Sequence, residues 1–193
     1  MDDIPHLKRY VMMAPLVNAF DKFNKNEKFD TIKVQYRENE NMYIMPSKDA
    51  LIVIFSLRFK DPDDVILAKV FLQEFQDARR DKEVSNAPAV NFSHKNKPLE
   101  LKNVNEVEDE KTGFVSFVLF KRHIDATHTI KTIDSLLLFR VYFDYHLKCA
   151  KAYMHIRMRD RVSRSLQVLN RSKVEEVAPK QMKTASGRTF TRS

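Results

Sequence analysis

Apolar positions recur in two rhythms along this 193-residue chain, one of period two and one of period three to four. Residues 5–27 read as a helix with Phe20 and Phe23 on one face, and Pro15 either starts or kinks it. Thr31–Glu38 alternates Ile32, Val34 and Tyr36 and reads as a strand. Asn41–Met45 pairs with it as a hairpin arm across the polar turn Glu38–Asn41. Ala50–Phe59 is dense in Ile, Val, Leu and Phe, which suits a buried central strand. Asp61-Pro62-Asp63-Asp64 ends that strand and opens a helix to about Lys82, with apolar Val65, Leu67, Ala68, Phe71, Leu72 and Phe75 at helical spacing. Val90–Ser93 and Phe114–Phe120 are two further strands, separated by the extended Pro88–Leu101 region and an acidic loop, Glu106–Glu110.

The longest rhythm comes last. No glycine or proline occurs between Phe114 and Ala178, and Leu136, Phe139, Phe143, Leu147, Ala150, Met154, Met158, Val162, Leu166 and Leu169 follow at steps of three or four. This predicts one helix over about 125–172, roughly 70 Å long at ~1.5 Å per residue. Before residue 155 it is apolar nearly all round, with Ile130, Ile133, Leu137, Leu138, Val141, Tyr142 and Tyr145 joining the stripe, as expected of a helix laid on a sheet. After 155 a narrow stripe survives between arginines, the pattern of one half of a helix–helix interface. The expected organisation is an α/β domain over 1–124, the long helix over 125–172 and a polar basic tail over 173–193. Disorder is the plain reading of that tail.

Composition narrows the chemistry. Gly113 and Gly187 are the only glycines, so neither a P-loop, a GxGxxG fingerprint nor a GxSxG elbow can be written. The single cysteine, Cys149, allows no internal disulfide and suits a reducing compartment. No secretory pattern opens the chain and no apolar run approaches the ~20 residues of a membrane helix, so the expectation is a soluble cytoplasmic protein. The net charge is +8, and +7 of it falls in residues 155–193, where ten Lys/Arg face three acids. Such asymmetry calls for an electrostatic partner.

Candidate sites are few. Asp61, Asp63 and Asp64 lack the glycine and glutamate of a calcium loop and read as helix-end acids. His146 and Cys149 lie one helical turn apart, but no second ligand pair accompanies them, so Cys149 reads as a buried apolar residue and no metal is expected. No motif sets a nucleophile beside a base. The strongest polar signal is the arginine series Arg157, Arg159, Arg161, Arg164 and Arg171, which alone allows nucleic acid, an acidic membrane surface, an acidic protein or simple solvation.

Several strings resemble the family of subunit 2 of the actin-related protein 2/3 complex. They are Lys69-Val70-Phe71-Leu72-Gln73-Glu74-Phe75 with Arg79-Arg80, Val90-Asn91-Phe92-Ser93-His94 with Lys97-Pro98-Leu99-Glu100-Leu101-Lys102, and Phe117-Val118-Leu119-Phe120 with Arg122-His123. The clearest runs from Tyr145-His146-Leu147-Lys148-Cys149 through Tyr153-Met154-His155-Ile156-Arg157-Met158-Arg159. Val168-Leu169-Asn170-Arg171, Met182-Lys183-Thr184 and Gly187-Arg188-Thr189-Phe190 complete the series.

The resemblance implies an α/β (α+β) fold, a curled antiparallel sheet with helices on one side and one very long C-terminal helix. The family has two such domains, and this chain resembles the second with its helix and tail. It implies a structural protein without catalysis or cofactor, located in the cytoplasm and the cortical actin cytoskeleton. The implied partners are subunit 4, met through long antiparallel helices, the two actin-related proteins and the side of an actin filament. On that reading Met154, Met158, Val162, Leu166 and Leu169 form the partner-helix interface. Arg157, Arg159, Arg161, Arg164, Arg171, Lys183 and Arg188 meet actin or a partner, and Gly187, Thr189 and Phe190 dock the tail. The arginines are expected to be spread around the helix. The alternative is a basic nucleic-acid-binding protein using the helix and tail, which the scarcity of aromatics among these residues argues against.

Overall fold

The computed structural model describes residues 4–78, 84, 86–172, 182–183 and 189–190. The elements are α1 (Ile4–Asn24), β1 (Ile32–Arg37), β2 (Glu40–Pro46), β3 (Leu51–Arg58), α2 (Pro62–Ala78), β4 (Ala89–His94), β5 (Thr112–Leu119) and α3 (Thr129–Arg171). Two short strands follow, β6 (Met182–Lys183) and β7 (Thr189–Phe190). The chain divides into two compact units, Met1–Lys151 and Ala152–Ser193.

The first unit is an open antiparallel sheet in the order β1-β2-β3-β5-β4. Its inward face carries Met42, Ile44, Val53, Phe55, Leu57, Val115 and Phe117. Leu16, Ala19, Phe20 and Phe23 of α1, Val65, Ala68 and Leu72 of α2, and Ile133, Leu136, Phe139, Phe143 and Leu147 of α3 close over it. The helices therefore share one side, as expected from the family resemblance. On the other face Tyr43, Ile54 and Phe114 are covered by Leu101 and Val104 from the β4–β5 connection. Glu106 of the acidic loop anchors that cover by accepting hydrogen bonds from the Asn41 amide and the Tyr43 hydroxyl. Burial, with Glu106 second, raises the Tyr43 pKa.

Glycine scarcity leaves its mark on the turns, where Asn26, Asn39 and Lys95 take left-handed backbone at φ 56°, 59° and 70°. Asn26 ends α1 earlier than residue 27. Glu27 N–H donates to Lys22 C=O at 2.9 Å and Asn26 N–H to Phe23 C=O at 3.0 Å, a Schellman cap with asparagine in the usual glycine position. Pro15 lies inside α1, not at its start. Gly113 answers to packing: a Cβ there would sit 3.0 Å from the rings of both Phe59 and Phe92.

Three groups of residues depart from the sequence expectation. Glu40 and Asn41, expected in a polar turn, are buried residues of β2: Arg140 of α3 reaches Glu40, and Asn41 is met by the Ser56 hydroxyl and by Glu106. Phe75 is exposed, since α2 turns it away from the core that takes Ala68 and Leu72. Ile130, Leu138, Val141, Tyr142 and Tyr145 are exposed too, because a helix on one face of a sheet buries a single stripe. The part of the expected second helix beyond Ala78 lies outside the described residues.

Candidate partner surface of the long helix

The start of α3 is fixed by Asp125. Its carboxylate accepts hydrogen bonds from the backbone N–H groups of Thr127 (3.1 Å) and His128 (2.8 Å) and from the Thr127 hydroxyl (2.8 Å). The Thr127 hydroxyl first, and then the His128 ring, whose Nδ1 lies 2.6 Å from the same oxygen, hold the Asp125 pKa down at about 2. Thr129 N–H then donates to Asp125 C=O at 2.9 Å and the helix runs unbroken to Arg171.

Within the first unit α3 is held by charge as well as packing. Arg140, placed mid-helix over the sheet, donates to Glu40 at 2.6 and 3.2 Å and also bonds Asp144. Burial pulls the Arg140 pKa down, and the bond and charge of Glu40 with the charge of Asp144 more than offset it, so the net direction is upward. Nearer the end of the unit, Lys151 Nζ reaches Asp61 at 2.8 Å and Asp64 at 3.1 Å. The Asp61 bond raises the Lys151 pKa, and the same bond lowers that of Asp61. Asp63 and Asp64 occupy the first turn of α2, as expected, and Asp61 with Asp64 also serves this clamp.

Cys149 is not buried. It lies on the outward face of α3, and its side-chain bond to Tyr145 raises the tyrosine's pKa. His146, one turn away, stacks on Phe71 at 5.7 Å. Among the described residues no three His, Cys, Asp or Glu side chains gather as a metal site would require. No described helix is long and apolar enough to cross a membrane.

The second unit opens with α3 residues 152–171, every one of them exposed. Met154, Met158, Val162, Leu166 and Leu169 stand 44–62% exposed, so none finds cover within the described residues. At 3.6 residues per turn they occupy an arc of about 120°. Arg157, Arg161, Arg164 and Arg171 fall within about 80°, centred roughly 120° from that stripe. These four share a face and are not spread around the helix; Arg159 alone lies beyond the far side of the stripe. The angles follow from residue numbers alone, so the spacing of the arginines already encodes this segregation. Within the arginine face Arg164 pairs with Asp160 at 2.7 Å, and Arg157 lies over the Tyr153 ring and bonds its hydroxyl at 2.8 Å.

In the tail, the backbone of Met182–Lys183 pairs antiparallel with Thr189–Phe190. Lys183, Thr189 and Phe190 therefore belong to a short ladder, whereas Gly187 and Arg188 lie outside the described residues.

The chain is similar to actin-related protein 2/3 complex subunit 2 of Dictyostelium discoideum, at 47% identity over 174 residues that cover 89% of this chain and 58% of that protein. It is similar to the protein of the same description from Schizosaccharomyces pombe, at 36% identity over 209 residues covering 98% of this chain and 65% of that protein. The chain thus spans about three-fifths of the length of these relatives. Residues 1–176 match the family described as Arp2/3 complex, 34 kD subunit p34-Arc. With that match running from the first helix past the end of α3, the chain belongs to the p34-Arc family.

Proposed function

We propose that this chain is a non-catalytic scaffold subunit of the actin-related protein 2/3 complex, acting in the cytoplasmic actin cytoskeleton at the cell cortex. The observation that carries the reading is the bare apolar stripe from Met154 to Leu169 on a continuous helix. Burying each such side chain is worth roughly 1.5–3 kcal/mol, and a second helix packed along the stripe would recover it. Subunit 4 supplies that helix in antiparallel orientation. The complex so held then positions the two actin-related proteins.

The arginine face suits a different neighbour. Guanidinium forks pair bidentately with carboxylates, and an acidic filament side offers many. Arg157, Arg161, Arg164 and Arg171 make this contact, Lys183 and Arg188 of the tail extend it, and Arg159 serves the helix pairing. Gly187, Thr189 and Phe190 dock the tail. Affinity purification of the tagged chain from its source cell, with mass spectrometry, tests the reading. Recovery of the actin-related proteins and partner subunits is expected. Recovery of nucleic acid without them, with affinity falling by decades as salt rises, would overturn it.

A further inference from the structure

We propose that Met154 and Met158 form a reversible oxidation site, at which a peroxide turns the pairing stripe of α3 into a surface that no longer pairs. The inference rests on the partner-helix reading above and names a regulation of that same surface. Selective exposure is its first support. Among the methionines whose side chains the structure describes, Met42 is fully buried and Met12, Met13 and Met45 are half-buried. Of this set only Met154 and Met158 are exposed, at 44% and 59%. Oxidation of a thioether follows its access to the oxidant, so these two sulfurs react first.

Position is the second support. Met154 and Met158 lie about one turn apart, some ~6 Å along the axis, on the same side of the helix. They open the stripe, and its other members, Val162, Leu166 and Leu169, carry only hydrocarbon side chains that peroxide leaves alone. A partner helix meets all of these residues as one apolar surface, whereas an oxidant finds only the first two. Cys149 is another exposed sulfur, but it belongs to the first unit and not to the stripe.

The step balances without a cofactor. A sulfur lone pair attacks one oxygen of hydrogen peroxide, the O–O bond breaks, an S–O bond forms and water leaves. Sulfur gives up the two electrons that the peroxide gains. A flexible apolar thioether becomes a polar, chiral sulfoxide whose oxygen accepts hydrogen bonds. In water that oxygen is satisfied, but an apolar helix seam offers it no donor. A thiol-dependent methionine sulfoxide reductase removes the oxygen as water and is itself left as a disulfide, which restores the stripe. Oxidation therefore acts on the free chain, and pairing shields both sulfurs.

The test uses the full chain carrying Cys149→Ser, hydrogen peroxide stopped with catalase, peptide mass spectrometry and titration with subunit 4. Met154 and Met158 should gain oxygen well before Met42, and affinity for subunit 4 should fall at least about tenfold. Reductase treatment should restore it. Chain already paired with subunit 4 should keep both methionines reduced. The double variant Met154→Leu, Met158→Leu should bind equally well before and after peroxide. Both positions are exposed, so its circular dichroism should match the parent's. Unchanged affinity after both residues are oxidised overturns the proposal, as does oxidation of Met42 at the same rate. An equal loss in the double leucine variant also overturns it, by placing the damage elsewhere. An untreated chain that fails to bind subunit 4 overturns the partner reading and this inference together.

Discussion

Arg140 and Glu40 stand 100 residues apart in the chain and meet at 2.6 Å in the seam between α3 and the sheet, both almost fully buried. Glu40 also accepts the backbone N–H of Arg58 at 2.9 Å, so one carboxylate ties β2, β3 and α3 together. Asp144 binds Arg140 from the next turn and Arg37 at 2.9 Å from β1. Such a network is expensive to break on one side only.

The first prediction follows from that asymmetry. Arg140→Leu leaves buried Glu40 without the cation that bonds it directly, Arg37 Nε standing off at 4.0 Å, and should cost about 3–5 kcal/mol in urea unfolding. Adding Glu40→Gln to Arg140→Leu should restore a large part of the loss. If the double variant were as unstable as the single one, packing and not charge would be what Arg140 supplies.

These two residues also show where the sequence stops being legible. β1 and the helices are readable because each buries one face, as the rhythm of Ile32, Val34 and Tyr36 or of Phe139, Phe143 and Leu147 records, and β3 and β5 because burial on both faces makes them continuous apolar runs. Glu40 reads as a turn residue because its burial depends on a partner one hundred positions away, which no local pattern encodes. Arg140 is invisible for the same reason, as one polar position in an apolar stripe. Cys149 misleads differently: the helix before residue 155 is apolar on both faces, so composition does not say which face meets the sheet. The Met154–Leu169 stripe is legible because only one apolar face survives there.

Gly113 gives a second prediction. A methyl group at that position would press at 3.0 Å on Phe59, which is buried, and on Phe92. Gly113→Ala should destabilise by about 1–3 kcal/mol through overpacking of β5 against these rings. Combining it with Phe92→Leu should relieve the loss; an additive double variant would place the strain elsewhere.

The acid limb of stability should carry the signature of Asp125. Its carboxyl is held at about 2 in the folded chain against an ordinary 3.8, so the folded state binds fewer protons over this interval. The contribution is therefore complete above about pH 5 and is lost as pH falls through 3.8 toward 2. Asp125→Ala should lower the urea midpoint at pH 6 and converge with the parent near pH 2. Parallel curves across that interval would mean the cap acts without its charge. Asp61 and Asp109, also lowered, remain in both proteins and cancel from the difference.

Leu166 is 59% exposed in the isolated chain, which makes its replacement a clean probe of assembly. Leu166→Asp should leave the circular dichroism and unfolding midpoint of the chain unchanged, because no described contact is lost. Coexpressed with subunit 4 and passed over gel filtration, it should fail to co-elute where the parent does. Undiminished co-elution would make the stripe an ordinary surface feature.

The arginine face permits a sharper separation. Arg157, Arg161 and Arg164 lie within one arc, whereas Arg159 lies across the apolar stripe from them, so the two sets cannot contact one flat partner together. If the arc meets an acidic filament side, reversing Arg157, Arg161 and Arg164 to glutamate should reduce cosedimentation of the reconstituted complex with filaments. Assembly should survive, because none of the three lies within the stripe. Arg159→Glu, on the other side of the stripe from that arc, should leave filament binding unchanged. Raising salt should weaken the parent's filament binding and leave the reversed variant's residual binding nearly flat, since exposed charges are screened within about 8 Å at physiological ionic strength. Loss of assembly in the triple variant would move the arc into the subunit interface. Undiminished filament binding by an intact complex would remove these three arginines from the filament contact.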